Sequence, residues 1–141
     1  MGTGDAKLDL LRTVSLFADL GRKDLEEVGR LADTVDVPAD KVLMREGQSG
    51  AEMFVIASGS VVVERNGREV ARLGQGDVVG EGALLSEGPR TATVTTAEPS
   101  TLFVLGHREF HTLLADSAEV RRCVFDEVAR RLRTAETDRA H

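Results

Sequence analysis

Apolar positions follow a helical spacing at both ends of the chain and a strand spacing between them. Over residues 6–32, Leu8, Leu11 and Leu16 with Phe17 make one apolar face. Gly21 interrupts that face, and Leu25, Val28, Leu31 and Ala32 resume it, which predicts N-terminal helices. The period changes at Asp33: Val35 and Val37 alternate with Asp36, and Pro38 to Asp40 read as a turn. Short apolar runs at 42–44, 53–57, 61–64, 69–73, 77–79, 92–96 and 101–105 then predict further strands. Between them lie Glu46-Gly47-Gln48-Ser49-Gly50, Ser58-Gly59-Ser60 and Arg65-Asn66-Gly67-Arg68. Asn66-Gly67 is a hairpin signal, because both turn positions need φ > 0 and these residues tolerate it. Closely spaced strands with glycine at the corners predict a small antiparallel roll or barrel over 33–105.

After Gly106 the helical period returns and holds over 107–134. His107 to Leu114 reads as a short helix. Asp116 with Glu119 three residues on fits a capping box that opens a second helix. Val120, Val124, Phe125, Val128 and Leu132 mark the apolar face of that helix, and Arg130, Arg131 and Arg133 favour its C-terminal dipole. No repeat, low-complexity tract or linker divides the chain. Residues 1–141 are therefore read as one domain, mainly β with flanking helices, whose helical tail can move.

Composition narrows the class. With 141 residues, 41% hydrophobic and 30% charged, the chain can bury a core without disulfides or metal. A net charge of −6 argues against a broad basic face for nucleic acid, and there is no room after the last helix for a helix-turn-helix reader. No apolar run approaches the ~20 residues of a membrane span. Asp5, Lys7 and Asp9 do not resemble a secretory signal, and the single Cys123 forms no internal disulfide, so the expected location is the cytoplasm.

The chemistry concentrates in residues 80–94, GEGALLSEGPRTATV. Gly82-Ala83-Leu84-Leu85 can form one helical turn whose free N–H groups make an anion site. Arg90 can add a bidentate pair to a phosphate. Glu81 is a poor phosphate partner but a good acceptor for sugar hydroxyls, Thr91 adds a hydroxyl, and Pro89 fixes the approach to the returning strand. An anion site, an arginine and a hydroxyl-reading carboxylate together describe a phosphorylated ribose. Other constellations carry less. His107 and His111 stand at i, i+4, but the metalloprotease order is absent and no third ligand is apparent, so no metal is expected. Gly74, Gly76 and Gly80 miss the dinucleotide spacing. Ser58, Ser60 and Ser86 lack partners for nucleophilic catalysis, so no enzyme is expected. Arg121, Arg122 and Arg130 to Arg133 read as a solvated helix face. Cys123 reads as buried and inert.

The segment Gly80-Glu81-x-Ala83-Leu84, followed after four residues by Pro89-Arg90-Thr91-Ala92-Thr93-Val94, resembles the phosphate-binding cassette of cyclic nucleotide-binding domains. Glu46-Gly47 and Gly59-Ser60-Val61 sit where that family keeps turn glycines. The resemblance implies N-terminal helices, an eight-stranded antiparallel β-roll of the double-stranded β-helix or jelly-roll type, and C-terminal hinge and lid helices. It implies that Glu81 accepts the ribose 2′-hydroxyl and that Arg90 pairs with the cyclic phosphate, joined by backbone N–H groups around Gly80, Gly82 and Ala83. Thr91 would lie near the phosphate and a syn purine, and Arg131 would contact the base. Position 82 is usually a larger apolar residue in the family. Gly82 costs order before binding and permits close backbone approach.

The implied function is a regulatory sensor of cyclic nucleotide, with cAMP favoured over cGMP as ligand and no further cofactor. Its output would pass through the C-terminal helix to a downstream protein or a second copy of the chain. The alternative is a nucleotide-independent interaction module that keeps the fold.

Overall fold

The computed structural model describes residues 3–14, 16–80, 89–126 and 129–130. Two helices come first, α1 (Thr3–Arg12) and α2 (Arg22–Leu31). Eight strands follow: β1 (Asp33–Val37), β2 (Val42–Met44), β3 (Glu52–Ser58), β4 (Val61–Arg65), β5 (Arg68–Leu73), β6 (Val78–Val79), β7 (Thr93–Thr96) and β8 (Ser100–Gly106). Helix α3 (His107–Asp116) leads without a break from β8, and a final helix occupies 118–126.

The strands form two four-stranded antiparallel sheets, in the orders β1-β8-β3-β6 and β2-β7-β4-β5. This is the expected roll. Its central strand β8 pairs with β1 through Val35–Leu102 and with β3 through Val55–Phe103. Successive side chains of a strand point to opposite faces, so β3 serves two cores at once. Phe54 and Ile56 face the second sheet with Val61, Val63, Val94 and Leu102. Met53 and Val55, with Phe103 and Leu105 of β8, pack against the helices. Burial on both faces explains why β3 reads as a continuous apolar run rather than an alternation. The β4–β5 hairpin turns at Asn66 (φ 53) and Gly67 (φ 77), as the dipeptide predicts. At the opposite corner the buried Thr96 hydroxyl donates to the Pro38 carbonyl at 2.7 Å and accepts from the Lys41 N–H at 2.8 Å. That side chain holds the β1–β2 turn against β7.

The helices depart from the sequence reading in detail. Leu16 and Phe17 share a period with α1, yet they lie beyond its end, buried in the turns before the extended residue Gly21. Their burial, with Leu11, Leu25, Val28 and Phe110, needs only an inward direction and not a continuous helix. The Asp116–Glu119 capping box does not form. Asp116 is the last residue of α3, and the extended Ser117 caps the final helix, its Oγ accepting from the Val120 N–H at 3.1 Å. Glu119 instead accepts from the Gly21 N–H at 3.3 Å. Arg121 lies on an exposed face, as expected, and from there donates to the Leu114 and Ala115 carbonyls, closing the end of α3.

Losing the true cap should cost about 1 kcal/mol. Ser117→Ala should therefore lower the urea midpoint, while Asp116→Ala should leave it in place. An equal loss in both variants would overturn the assignment.

Candidate functional site

The Arg90 side chain is 8% exposed although it carries a permanent charge. Its surroundings come from three distant stretches. The β2–β3 turn lies alongside the chain at 89–90: the Gly47 N–H donates to the Arg90 carbonyl, and the Arg90 N–H donates to the Gln48 carbonyl, both at 2.8 Å. A bridge between Ser49 and Pro89 continues this pairing. The guanidinium then reaches across the start of β3. Nη2 donates to the Glu52 carbonyl at 2.8 Å, and Nη1 donates to the Gly80 carbonyl at 3.4 Å.

Both partners are neutral oxygens. They satisfy donors without cancelling charge, and hydrogen bonds of this ionised kind contribute about 1.5–3 kcal/mol each. Burial pulls the Arg90 guanidinium below its ordinary pKa, and the Glu52 carboxylate opposes that through its field. The guanidinium borders a cavity of about 210 Å³ shared with Met44, Gln48, Ser49, Gly50 and Glu52. A larger, open hollow of about 1250 Å³ lies elsewhere, between the N-terminal helices and the first sheet, beside Lys7 and Phe103. Arg90 is not part of it. Size therefore points away from the chemistry, and the buried charge is the better guide.

Gly50 makes room for this arrangement. A Cβ there would lie 1.9 Å from Arg90 Nε, well inside contact distance. Gly80 is also tight, though less so: its added Cβ would stand 2.7 Å from Arg90 Nη1 and from the Glu52 carbonyl oxygen.

Of the residues predicted from sequence, the structure brings Gly80 and Arg90 together. Thr91 follows on the exposed side of the chain. Glu81, Gly82, Ala83 and Arg131 lie outside the described residues. Sequence reasoning missed Gly50 and the Glu52 carbonyl as parts of the arginine's seat. Gly50 was visible only as one of several turn glycines, and a backbone carbonyl has no signature in side-chain identity.

The Gly50–Arg90 contact is testable by a double-mutant cycle. Gly50→Ala should destabilise by about 1–3 kcal/mol, the range for overpacking a filled site. In an Arg90→Ala background the same change should cost almost nothing, because the atoms it strikes are gone. Additive losses in denaturant would refute the contact.

Comparison with known proteins agrees with this architecture. The profile of the cyclic nucleotide-binding domain family matches residues 34–117. A cyclic nucleotide-gated potassium channel of Rhizobium etli is 39% identical over 111 residues, covering 79% of this chain and 31% of the channel. The chain thus spans about a third or less of the length of the curated relatives it matches. Among solved structures, the N-terminal domain of a transcriptional regulator from Streptomyces coelicolor A3(2) superposes with a TM-score of 0.84 at 33% identity, covering 92% of this chain and 94% of that one. The regulatory domain of Toxoplasma gondii PKA, crystallised with cAMP, gives 0.77 at 34% identity over 89% of this chain and 50% of its own. With two four-stranded sheets, flanking helices and a family match over most of the roll, this chain belongs to the cyclic nucleotide-binding domain family.

Proposed function

We propose that the chain is a regulatory sensor that binds cAMP in preference to cGMP at the Arg90 site and performs no catalysis of its own. The observation that carries this reading is a buried guanidinium held by two neutral carbonyls at the edge of a cavity. An anion placed there gains a charge-assisted partner in surroundings of low dielectric. Arg90 pairs with the cyclic phosphate, and the backbone around Gly80, Gly82 and Ala83 supplies N–H donors. Glu81 accepts the ribose 2′-hydroxyl, Thr91 lies close to phosphate and purine, and Arg131 contacts the base. The likeness to a PKA regulatory domain crystallised with cAMP supports the choice of ligand class.

Output passes through the final helix. Val120 is buried in the helical core with Leu113, while Phe125 is 72% exposed. Binding draws this helix toward the base, and the state so favoured is the one a downstream protein or a second copy recognises. No helix among the described residues is long and apolar enough to cross a membrane.

Calorimetry with cAMP and cGMP side by side tests the proposal. Saturable heat with both, tighter for cAMP, and a raised thermal midpoint are expected, since 100-fold excess over Kd adds about 2.7 kcal/mol. Arg90→Ala should weaken binding by about 1.5–3 kcal/mol. No heat and no thermal shift at millimolar nucleotide would sink the sensor. The exposed Phe125 favours a second reading, a nucleotide-independent module docking a partner through the final helix. That reading gains if nucleotide has no effect while truncation after Leu114 abolishes association.

A further inference from the structure

His107 opens α3 directly after β8, and its N–H is anchored on the Ala51 carbonyl at 2.7 Å. His111 stands one turn further on the same face. Phe110 and Leu113 are buried in the helical core, whereas His107 is half-buried and His111 exposed. The two Nε2 atoms lie 2.9 Å apart, with ring centroids 4.1 Å apart and planes inclined at 64°.

The contact has hydrogen-bond length with the rings turned off a common axis, and the same nitrogen separation suits a shared cation. An N–H···N hydrogen bond in line with both rings, at this separation, would put the centroids about 5.2 Å apart. The observed distance is more than an ångström shorter, so the two ring axes do not both lie along the N···N line. A cation 2.0–2.1 Å from each nitrogen and viewing them at a right angle sets the nitrogens about 2.9 Å and the centroids about 4.5 Å apart. A tetrahedral angle would spread the nitrogens to about 3.3 Å. The nitrogen separation equals the bite of adjacent ligands in a square or octahedral site, and a small rotation of the rings, opening the centroids from 4.1 Å to about 4.5 Å, would aim both nitrogens at one cation.

We propose that His107 and His111 form a two-imidazole chelate for a borderline first-row divalent cation of the Ni²⁺ or Cu²⁺ type. Two neutral nitrogen donors suit these ions and not Mg²⁺ or Ca²⁺, which take oxygen ligands. Among the described residues, no group of three His, Cys, Asp or Glu converges on one point, so water completes the coordination. The sequence set this pair aside for want of a third ligand, but a right-angled site open to solvent does not require one from the protein. A cation held there would tie the first turn of α3 to the second, at the junction where the roll passes into the C-terminal helices.

The full chain titrated with Ni²⁺ in a non-coordinating buffer should take up one equivalent, with affinity in the micromolar range expected of a solvent-open site with two protein ligands. His111→Ala, a change at an exposed position, should weaken that uptake at least tenfold, the lower end of what even outer-shell changes cost. His141→Ala and Cys123→Ser should leave it intact. Selective broadening of both imidazole Cε1–H resonances at substoichiometric Ni²⁺ would place the ion on the unmodified protein. Absence of saturable uptake up to millimolar Ni²⁺ would overturn the proposal. So would unchanged uptake in His111→Ala, loss with His141→Ala instead, or broadening that spares either ring. Nucleotide binding does not enter any of these readouts.

Discussion

A guanidinium cannot shed its charge to enter a protein interior, so burying Arg90 constrains everything around it. Removing a charge from water is costly unless the protein replaces the lost hydration with oriented dipoles. Here those dipoles are the carbonyls of Glu52 and Gly80, which belong to different strand ends. The pairing of 47–49 with 89–90 brings the arginine's own backbone alongside, and Gly50 leaves the volume its side chain occupies. Remove any of these and the cation must move to solvent. The roll can therefore be viewed as a scaffold that holds one positive charge in a poorly solvated place. Because neutral oxygens stabilise that charge without neutralising it, the site retains a field suited to an anion.

The parts of this structure legible in the chain are those governed by local periodicity. Strand alternation, the Asn66-Gly67 hairpin and the doubly buried run of β3 depend on neighbours within a few residues. Arg90 was legible because its neighbours, Pro89 and Thr91, form a distinctive spacing with Gly80. What surrounds the arginine was not legible, because the meeting of residues 47–52 with 89–90 is set by how the two sheets close. Capping failed for a similar reason. Ser117 and Asp116 are equally good cap residues by type. The choice fell to the extended backbone at 117, while Glu119 was drawn to an N–H nearly a hundred residues away in sequence.

That distant bond belongs to a wider pattern. The helical core joins α1, α2, α3 and the beginning of the final helix in one cluster, with Phe17 and Phe110 fully buried at its centre. Lys7 ties α1 to the residue after α2 and to β8, its ammonium donating to the Ala32 carbonyl at 2.6 Å and lying 5.2 Å from the Phe103 ring centre. A rearrangement of the C-terminal helices therefore involves the N-terminal pair as well. Any shift that withdraws Val120 must also release Glu119 from Gly21, so the two ends share the free-energy cost.

The position of β8 has a consequence for how the molecule is made. It is the last strand in sequence, yet it forms the middle of its sheet, with Asp33 opposite Val104 and Glu52 opposite Gly106. On a chain emerging from its N-terminus, β1 has no sheet neighbour, and β3 only the two-residue β6, until β8 has appeared. Closing loops of that length is slow compared with forming a helix or a hairpin. The β4–β5 hairpin and α2 can be in place early, while β1 and one edge of β3 wait with unpaired backbone. The nascent domain thus passes through an interval of exposed strand edges until residue 106 completes the sheet.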